Sequence, residues 1–211
     1  MLDNLKNYHI ILASNSPRRK ELLAGLGIPF EVRVMEGIDE SYPLDLPTLQ
    51  TAEYIACKKA CAYRQTMGKD ELVITADTIV VVDNVVLGKP KDEADARRML
   101  HLLSGRTHQV VTGVAMTTQS EQQRFSVQTD VTFKVLTDEE IDYYVETCHP
   151  MDKAGAYGIQ EWIGYIGVTA LKGSYYNVMG LPVQRIYEML KRFKSFDGSD
   201  FLRTFAANRV I

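Results

Sequence analysis

The sequence predicts an α/β protein built on a mixed β-sheet, and three observations carry that prediction. Short apolar runs alternate along the chain with segments whose apolar residues recur at helical spacing. Two long β-type runs, residues 107–118 and 124–136, follow one another across a polar turn and are expected to pair antiparallel. The first strand instead breaks into a tight turn and a helix, so a sheet of mixed direction is expected.

Taken in order, Ile10, Ile11, Leu12 and Ala13 read as a buried strand ending in the turn Ser14-Asn15-Ser16-Pro17. Ser16 is a good N-cap, and Pro17 suits the first helical position, where its missing N–H costs nothing. The helix that follows carries Leu22, Leu23 and Leu26 on one face. Residues 30–34 alternate like a second strand and lead into the acidic loop Glu36-Gly37-Ile38-Asp39-Glu40. Thr48 or Thr51 can cap a helix reaching about Met67. Residues 72–76 form a buried strand ending at Asp77, and 79–82 with 85–87 form a hairpin across Asp83-Asn84. Asp92 caps a helix through Leu103, stopped by Ser104-Gly105, and Thr137-Asp138-Glu139-Glu140 is a capping box opening a helix to about Glu146. Residues 153–160 are a small-residue loop leading into a further strand, and 181–194 an amphipathic helix with Pro182 near its first turn. The tail over 195–211 is polar, then mildly apolar, and receives no role. With no linker, repeat or low-complexity tract, the expectation is a single domain over 1–211, either one large unit or two lobes sharing a cleft.

Composition excludes several classes of function. Of 211 residues, 45% are hydrophobic and 24% charged, an ordinary balance that supports a substantial core. A net charge of −3 and a pI near 5.8 argue against non-specific binding of duplex nucleic acid, which needs a broad basic surface. The opening MLDNLKNYHI lacks the apolar stretch of a signal peptide, and no run reaches membrane-spanning length. Cys57, Cys61 and Cys148 lack zinc spacing and read as reduced thiols, so a cytoplasmic protein is expected.

Against that balance, the first turn of the first helix concentrates positive charge. Arg18 and Arg19 sit where the helix dipole disfavours cations by about 0.3–1 kcal/mol each. Two guanidinium groups, the hydroxyls of Ser14 and Ser16 and free backbone N–H groups at one helix N-terminus suit a polyanion, most simply phosphate. The bland alternative is a strand-turn-helix whose arginines point into water. Asp77, at an expected strand end, suits metal binding or general-base work, or else caps the hairpin. Glu40 could supply a second hard oxygen ligand for Mg²⁺ or Mn²⁺, or be a solvated loop acid. Lys59 shares a helical face with Ile55, Ala56 and Ala60, where a surface lysine is out of place, and Lys89 follows a strand in Leu-Gly-Lys-Pro. With the arginines these lysines make four cations, enough for a triphosphate with a metal. His9, His101, His108 and His149 show no metal spacing and read as structural. No P-loop, dinucleotide fingerprint, zinc-protease motif or nucleophile elbow is present, and neither Ser14 nor Ser16 has a sequence-local base partner.

S-N-S-P-R-R, T-A-D-T, L-G-K-P, T-G-V, D-K-A-G-A-Y-G-I-Q and G-S-Y-Y-N-V-M-G-L-P occur in the order seen in the Maf family of nucleoside triphosphate pyrophosphatases. The resemblance spans residues 8–194, and the D-K-A-G-A-Y-G-I-Q segment resembles the dTTP/UTP pyrophosphatase subgroup. It implies a strongly twisted mixed β-sheet flanked by helices around a long central cleft, similar to the inosine triphosphatase architecture. It also implies that Asp77 is the catalytic acceptor. Ser14, Arg19, Glu40, Lys59 and Lys89 match the family's phosphate- and metal-binding positions, and Arg18, Thr78 and Gln160 its substrate-choice positions. Asn15 stands where the family often has Ala or Gly, and the tail beyond Lys194 matches nothing in it.

The expected reaction is hydrolysis of dTTP or UTP, and of modified pyrimidine nucleotides, to the monophosphate and pyrophosphate. A divalent cation, Mg²⁺ or Mn²⁺, is expected between Asp77 and Glu40. Gln160 offers an amide that both donates and accepts, matching the N3–H and O4 edge of uracil or thymine. The expected partner is a nucleoside triphosphate, with no duplex nucleic acid and no membrane; a homodimer stays open. The rival reading is a nucleotide-binding regulator of cell division without required catalysis, suggested by the family's name from septum formation. A carboxylate beside phosphates favours the enzyme, because a pure binder has no use for it.

Overall fold

The structure is a computed structural model and describes residues 2–195; the tail assigned no role lies, from 196 on, outside the described residues. A short 3₁₀ turn precedes β1 (His9–Leu12), α1 (Pro17–Ala24) and β2 (Glu31–Val32). Then come α2 (Thr51–Arg64), β3 (Glu71–Val82), β4 (Val85–Leu87), α3 (Glu93–Leu103), β5 (Thr107–Thr117) and β6 (Gln122–Phe133). The chain closes with α4 (Asp138–Cys148), α5 (Trp162–Gly167), β7 (Val168–Lys172), α6 (Tyr175–Met179) and α7 (Val183–Leu190). The seven strands form one sheet in the order β2-β1-β3-β5-β6-β7, with β4 against β3. β1 runs parallel to both β2 and β3, and the remaining pairs are antiparallel, so the sheet is mixed as expected.

Local signals placed several element ends, but neither Thr48 nor Thr51 caps α2, whose N-cap is Gln50 without a side-chain hydrogen bond. Ser16 Oγ accepts the Arg19 N–H with Pro17 at the first helical position, and Asp92 accepts the Asp95 N–H. Thr137 and Glu140 close a reciprocal capping box at the start of α4. Asp83 and Asn84 both take positive φ, 49° and 62°, as a two-residue hairpin turn that matches strand twist demands.

Four expectations are corrected. The strand read as ending at Asp77 continues unbroken to Val82, because β5 supplies a backbone partner from Val73↔Thr117 to Val81↔Gln109. Polar Asp77 and Thr78 interrupt the apolar pattern without interrupting the ladder. The strand expected over 30–34 shrinks to Glu31–Val32, an exposed edge pair. Residues after 160 enter a helical turn, α5, before β7 begins. The helix expected over 181–194 is regular only over Val183–Leu190.

The sheet's two faces are covered differently. On one face Val73, Thr75, Ile79, Val81, Val111 and Ala115 meet α2 through Ala52, Ala56, Ala60 and Tyr63. On the other face the core splits in two along the same strands. Leu72, Ile74, Ala76, Val114 and Met116 pack with α1 and α7, while Val80, Val82 and Val110 pack with α3 and α4. Between the two cores lie Thr78 and Thr112, whose hydroxyls are hydrogen-bonded to each other at 2.9 Å. His108 is buried against Tyr157, with Nε2 2.7 Å from its hydroxyl, and burial pushes its pKa down to about 4, which keeps the ring neutral. The structural reading of this histidine stands. The three cysteines are free thiols, and no described helix is long and apolar enough to cross a membrane.

Candidate active site

One edge of β3 is left open in its middle. β1 pairs with β3 from His9↔Glu71 to Leu12↔Ile74, and β4 resumes only at Val80↔Leu87. Residues 75–79 therefore have no strand neighbour on that edge, and a cleft of about 730 Å³ opens there. Unpaired backbone at a sheet edge needs other partners. Arg19 provides one: its Nη1 donates to the Ala76 carbonyl at 2.8 Å.

Ser14, Arg18, Arg19, Glu40, Lys59, Asp77, Thr78, Lys89 and Gln160 all line this one cleft. They come from the β1–α1 turn, the first turn of α1, the acidic loop, α2, β3, the segment after β4 and the loop before α5. On the α2 side, Lys59 Nζ lies 2.9 Å from Asp77 Oδ1 and 3.1 Å from Glu40 Oε1. Lys59 and Asp77 are mostly buried, with side chains 14% and 15% exposed, whereas Glu40 reaches in from the rim at 57%. Lys58, its neighbour in sequence, turns away to Asp39 and Ser41. The odd lysine on the apolar helical face is thus the one in the cleft.

Gly113 makes that juxtaposition sterically open. It pairs in register with Asp77, and a Cβ there would lie 2.2 Å from the Glu53 nitrogen and 2.3 Å from the Ala52 carbonyl carbon. Only glycine lets the start of α2 lie directly on the sheet. The Thr75 hydroxyl, donating to the Ala56 carbonyl at 2.7 Å, ties the same helix to β3 one turn on.

Arg19 is also tied into the fold. Its Nε donates to the Gly180 carbonyl at 2.8 Å and its Nη2 to the Thr78 hydroxyl at 3.0 Å, besides Nη1 to Ala76. Three of five N–H donors join α1, β3 and the turn after α6, which leaves two for a ligand. Burial pushes the Arg19 pKa down while Asp77 opposes it, and the group remains a cation. Arg18 lies at the cleft wall and pairs with Asp152 at 3.1 Å. Lys89 has no ion-pair partner among the described residues. Ser14 Oγ accepts the Ser16 N–H at 3.2 Å, leaving its own hydroxyl proton available. Gln160 Oε1 is buried with no hydrogen-bond partner among the described residues.

Reading the sequence missed Asp152 and Lys153, which line the cleft, as well as Glu161, which forms an ion pair with Lys153, and Tyr144, which is hydrogen-bonded to Glu161. Asp152 and Lys153 are adjacent and opposite in charge, a signal that carried no weight without their distant partners.

The family model for Maf-like proteins matches residues 9–193. The chain belongs to that family. Three relatives carry the name dTTP/UTP pyrophosphatase. The protein of Phocaeicola vulgatus is 64% identical over 192 residues, 91% of this chain and 100% of its own length. That of Bacteroides thetaiotaomicron is 58% identical over the same shares. That of Flavobacterium psychrophilum is 48% identical over 86% of this chain and 93% of its own. Among solved structures, a HAM1 protein from Coxiella burnetii aligns over 88% of this chain and 100% of its own, at 15% identity and a TM-score of 0.47.

Proposed function

We propose that this Maf-like protein hydrolyses dTTP and UTP to the monophosphate and pyrophosphate. The observation that carries the reading is the pairing of two carboxylates, Asp77 and Glu40, on one ammonium at the floor of a cleft walled by Arg18, Arg19 and Lys89. Cations alone would serve binding; carboxylates placed beside them suit proton transfer or a metal. The name shared by the three relatives supports the same reaction.

The donor set fits a hard divalent cation. The two carboxylates converge closely enough for one cationic nitrogen to touch both, and Mg²⁺ or Mn²⁺ typically takes one or two carboxylates with the rest of its shell from phosphate and water. Among the described residues no three His, Cys, Asp or Glu side chains gather, so the substrate has to complete the shell. Such an ion supplies Lewis-acid polarisation and a more acidic water. Asp77 is the base: it takes the proton from the water that attacks the α-phosphorus as pyrophosphate leaves. Lys59 holds Asp77 in place and, with Lys89 and Arg18, neutralises charge on the phosphates and on the leaving group. The free Ser14 hydroxyl and the two remaining Arg19 N–H groups add donors at the phosphate end.

For the base, the unpartnered Gln160 acceptor matches the N3–H of uracil or thymine. Cytosine reverses both requirements, with an amino group at C4 and an unprotonated N3. A buried group left unpaired costs about 1–3 kcal/mol, or roughly 5- to 150-fold. The decisive measurement is pyrophosphate release from a panel of nucleotides with Mg²⁺ or Mn²⁺. dTTP and UTP are expected to lead, CTP and purine triphosphates to trail, and Gln160→Ala to narrow the margin over CTP. Activity is expected to vanish in a chelator and return with excess metal. Equal rates on ATP, CTP and dTTP would sink the pyrimidine assignment, and full rates in the chelator would remove the metal.

A further inference from the structure

A chain of polar groups runs beside the cleft without a break. The backbone N–H of Gly158, two residues before Gln160, donates to the Tyr144 hydroxyl at 3.0 Å. Tyr144 is fully buried on α4, and its hydroxyl donates to Glu161 Oε2. The other oxygen of Glu161 accepts from Lys153 Nζ at 3.0 Å, and the same ammonium donates to Asp152 Oδ1 at 2.7 Å. Asp152 Oδ2 in turn lies 3.1 Å from Arg18 Nη1. The chain therefore links the backbone that carries Gln160 to the arginine in the first turn of α1.

Its chemistry is matched at each link. Two carboxylates alternate with two cations, and all four carboxylate oxygens meet a donor. Burial and then the Glu161 carboxylate push the Tyr144 phenol well above its ordinary pKa, so the hydroxyl keeps its proton. That single proton goes to Glu161, which leaves the oxygen to accept from Gly158. Burial favours a neutral Asp152, yet Lys153 and Arg18 outweigh it and lower its pKa. Gly158 lies so close to the pair that a Cβ would stand 2.8 Å from Glu161 Cδ and 3.1 Å from Lys153 Cε. The ion pair is thus packed directly on the backbone that precedes Gln160.

We infer that Tyr144, Glu161, Lys153 and Asp152 are positioning residues that hold Gln160 and Arg18 in one fixed relation. Base recognition and phosphate binding are then aligned by the same side-chain chain. This rests on the proposed reading of the cleft, in which Gln160 meets the base and Arg18 the phosphates. None of the four residues needs to touch a reacting atom. A brace that served only stability would change the unfolding temperature and leave discrimination between bases alone.

The test compares Tyr144→Phe, Asp152→Asn and the double variant with wild type, measuring kcat and KM for dTTP and CTP together with thermal unfolding. Tyr144→Phe is expected to raise KM for dTTP by roughly 10-fold, leave kcat within about 2-fold and shrink the preference for dTTP over CTP by a similar factor. Asp152→Asn, on a half-exposed side chain at the other end, is expected to act in the same direction if Tyr144→Phe folds poorly. Because both cut one chain, the double variant should fall well short of the product of the single effects. An unchanged base preference in both single variants, or effects that multiply, overturns the inference while wild-type turnover of dTTP keeps the functional reading. A wild-type protein that releases no pyrophosphate from dTTP or UTP overturns both.

Discussion

Replacing Asp77 by Asn is expected to lower turnover by roughly 10²–10⁴-fold, the usual contribution of a positioned general base, while the protein stays folded. The substitution keeps the shape and one oxygen, and it removes the carboxylate that, on the proposed reading, serves proton transfer and a hard cation. Lys59 does not become an isolated buried charge, since Glu40 remains 3.1 Å from its ammonium. Nor does the strand depend on the side chain: β3 is held through this position by its ladder to β5, from Val73↔Thr117 to Val81↔Gln109. Pyrophosphate release and thermal unfolding of the purified variant check the two halves separately. Near-normal turnover would reduce Asp77 to a structural partner of Lys59.

A second large effect is expected at Gly113, which does not line the cleft. Gly113→Ala would place a methyl 2.2 Å from the Glu53 nitrogen and 2.4 Å from the Ala52 oxygen, both backbone atoms that cannot swing aside. The start of α2 has to lift off the sheet, and overpacking of this kind costs about 1–3 kcal/mol or more. Lys59 rides on the same helix, with its side chain leaning back toward the helix start, so lifting α2 draws the ammonium away from Asp77. A displacement near 1 Å in a positioned group costs roughly 100-fold in rate. The expected result is therefore a lower unfolding midpoint together with a loss of kcat, measured below the variant's own melting temperature. Full activity in a destabilised variant would show that the spacing between α2 and β3 does not set the catalytic geometry.

Much of the candidate site was legible in the chain because its members break local expectations. Arg18 and Arg19 stand at the wrong end of a helix dipole, and Lys59 stands on an apolar helical face. Those contradictions needed a reason, and all three residues line the cleft. Asp77 stands out for a related cause, as a charge at the end of an apolar run, but the strand does not end there. A polar pair in such a run looks like a strand end, and only the β5 partner shows that the ladder continues. Lys153, Glu161 and Tyr144 gave no such contradiction. An exposed-looking lysine beside an aspartate, and a tyrosine on a helix, are ordinary in a sequence.

Residue order alone settles the features governed by neighbours a few residues away. The Ser16–Pro17 start of α1, the Asp83-Asn84 turn and the Thr137–Glu140 capping box each depend on contacts three residues apart or fewer, and each formed as read. The tertiary structure alone decided what the charged groups do. Arg19 is divided between Ala76, 57 positions away, and Gly180, 161 positions away, so its role as a joint between elements could not be read from the helix that carries it. Arg18 meets Asp152 across 134 positions, and Lys59 meets Asp77 because a glycine on a third element leaves room for the helix. Caps and turns are decided by dihedral angles and hydrogen bonds within one turn of chain, which composition and order encode directly. The partner of a long charged side chain is decided by which distant backbone arrives beside it, and that arrival is a property of the packed sheet and helices together.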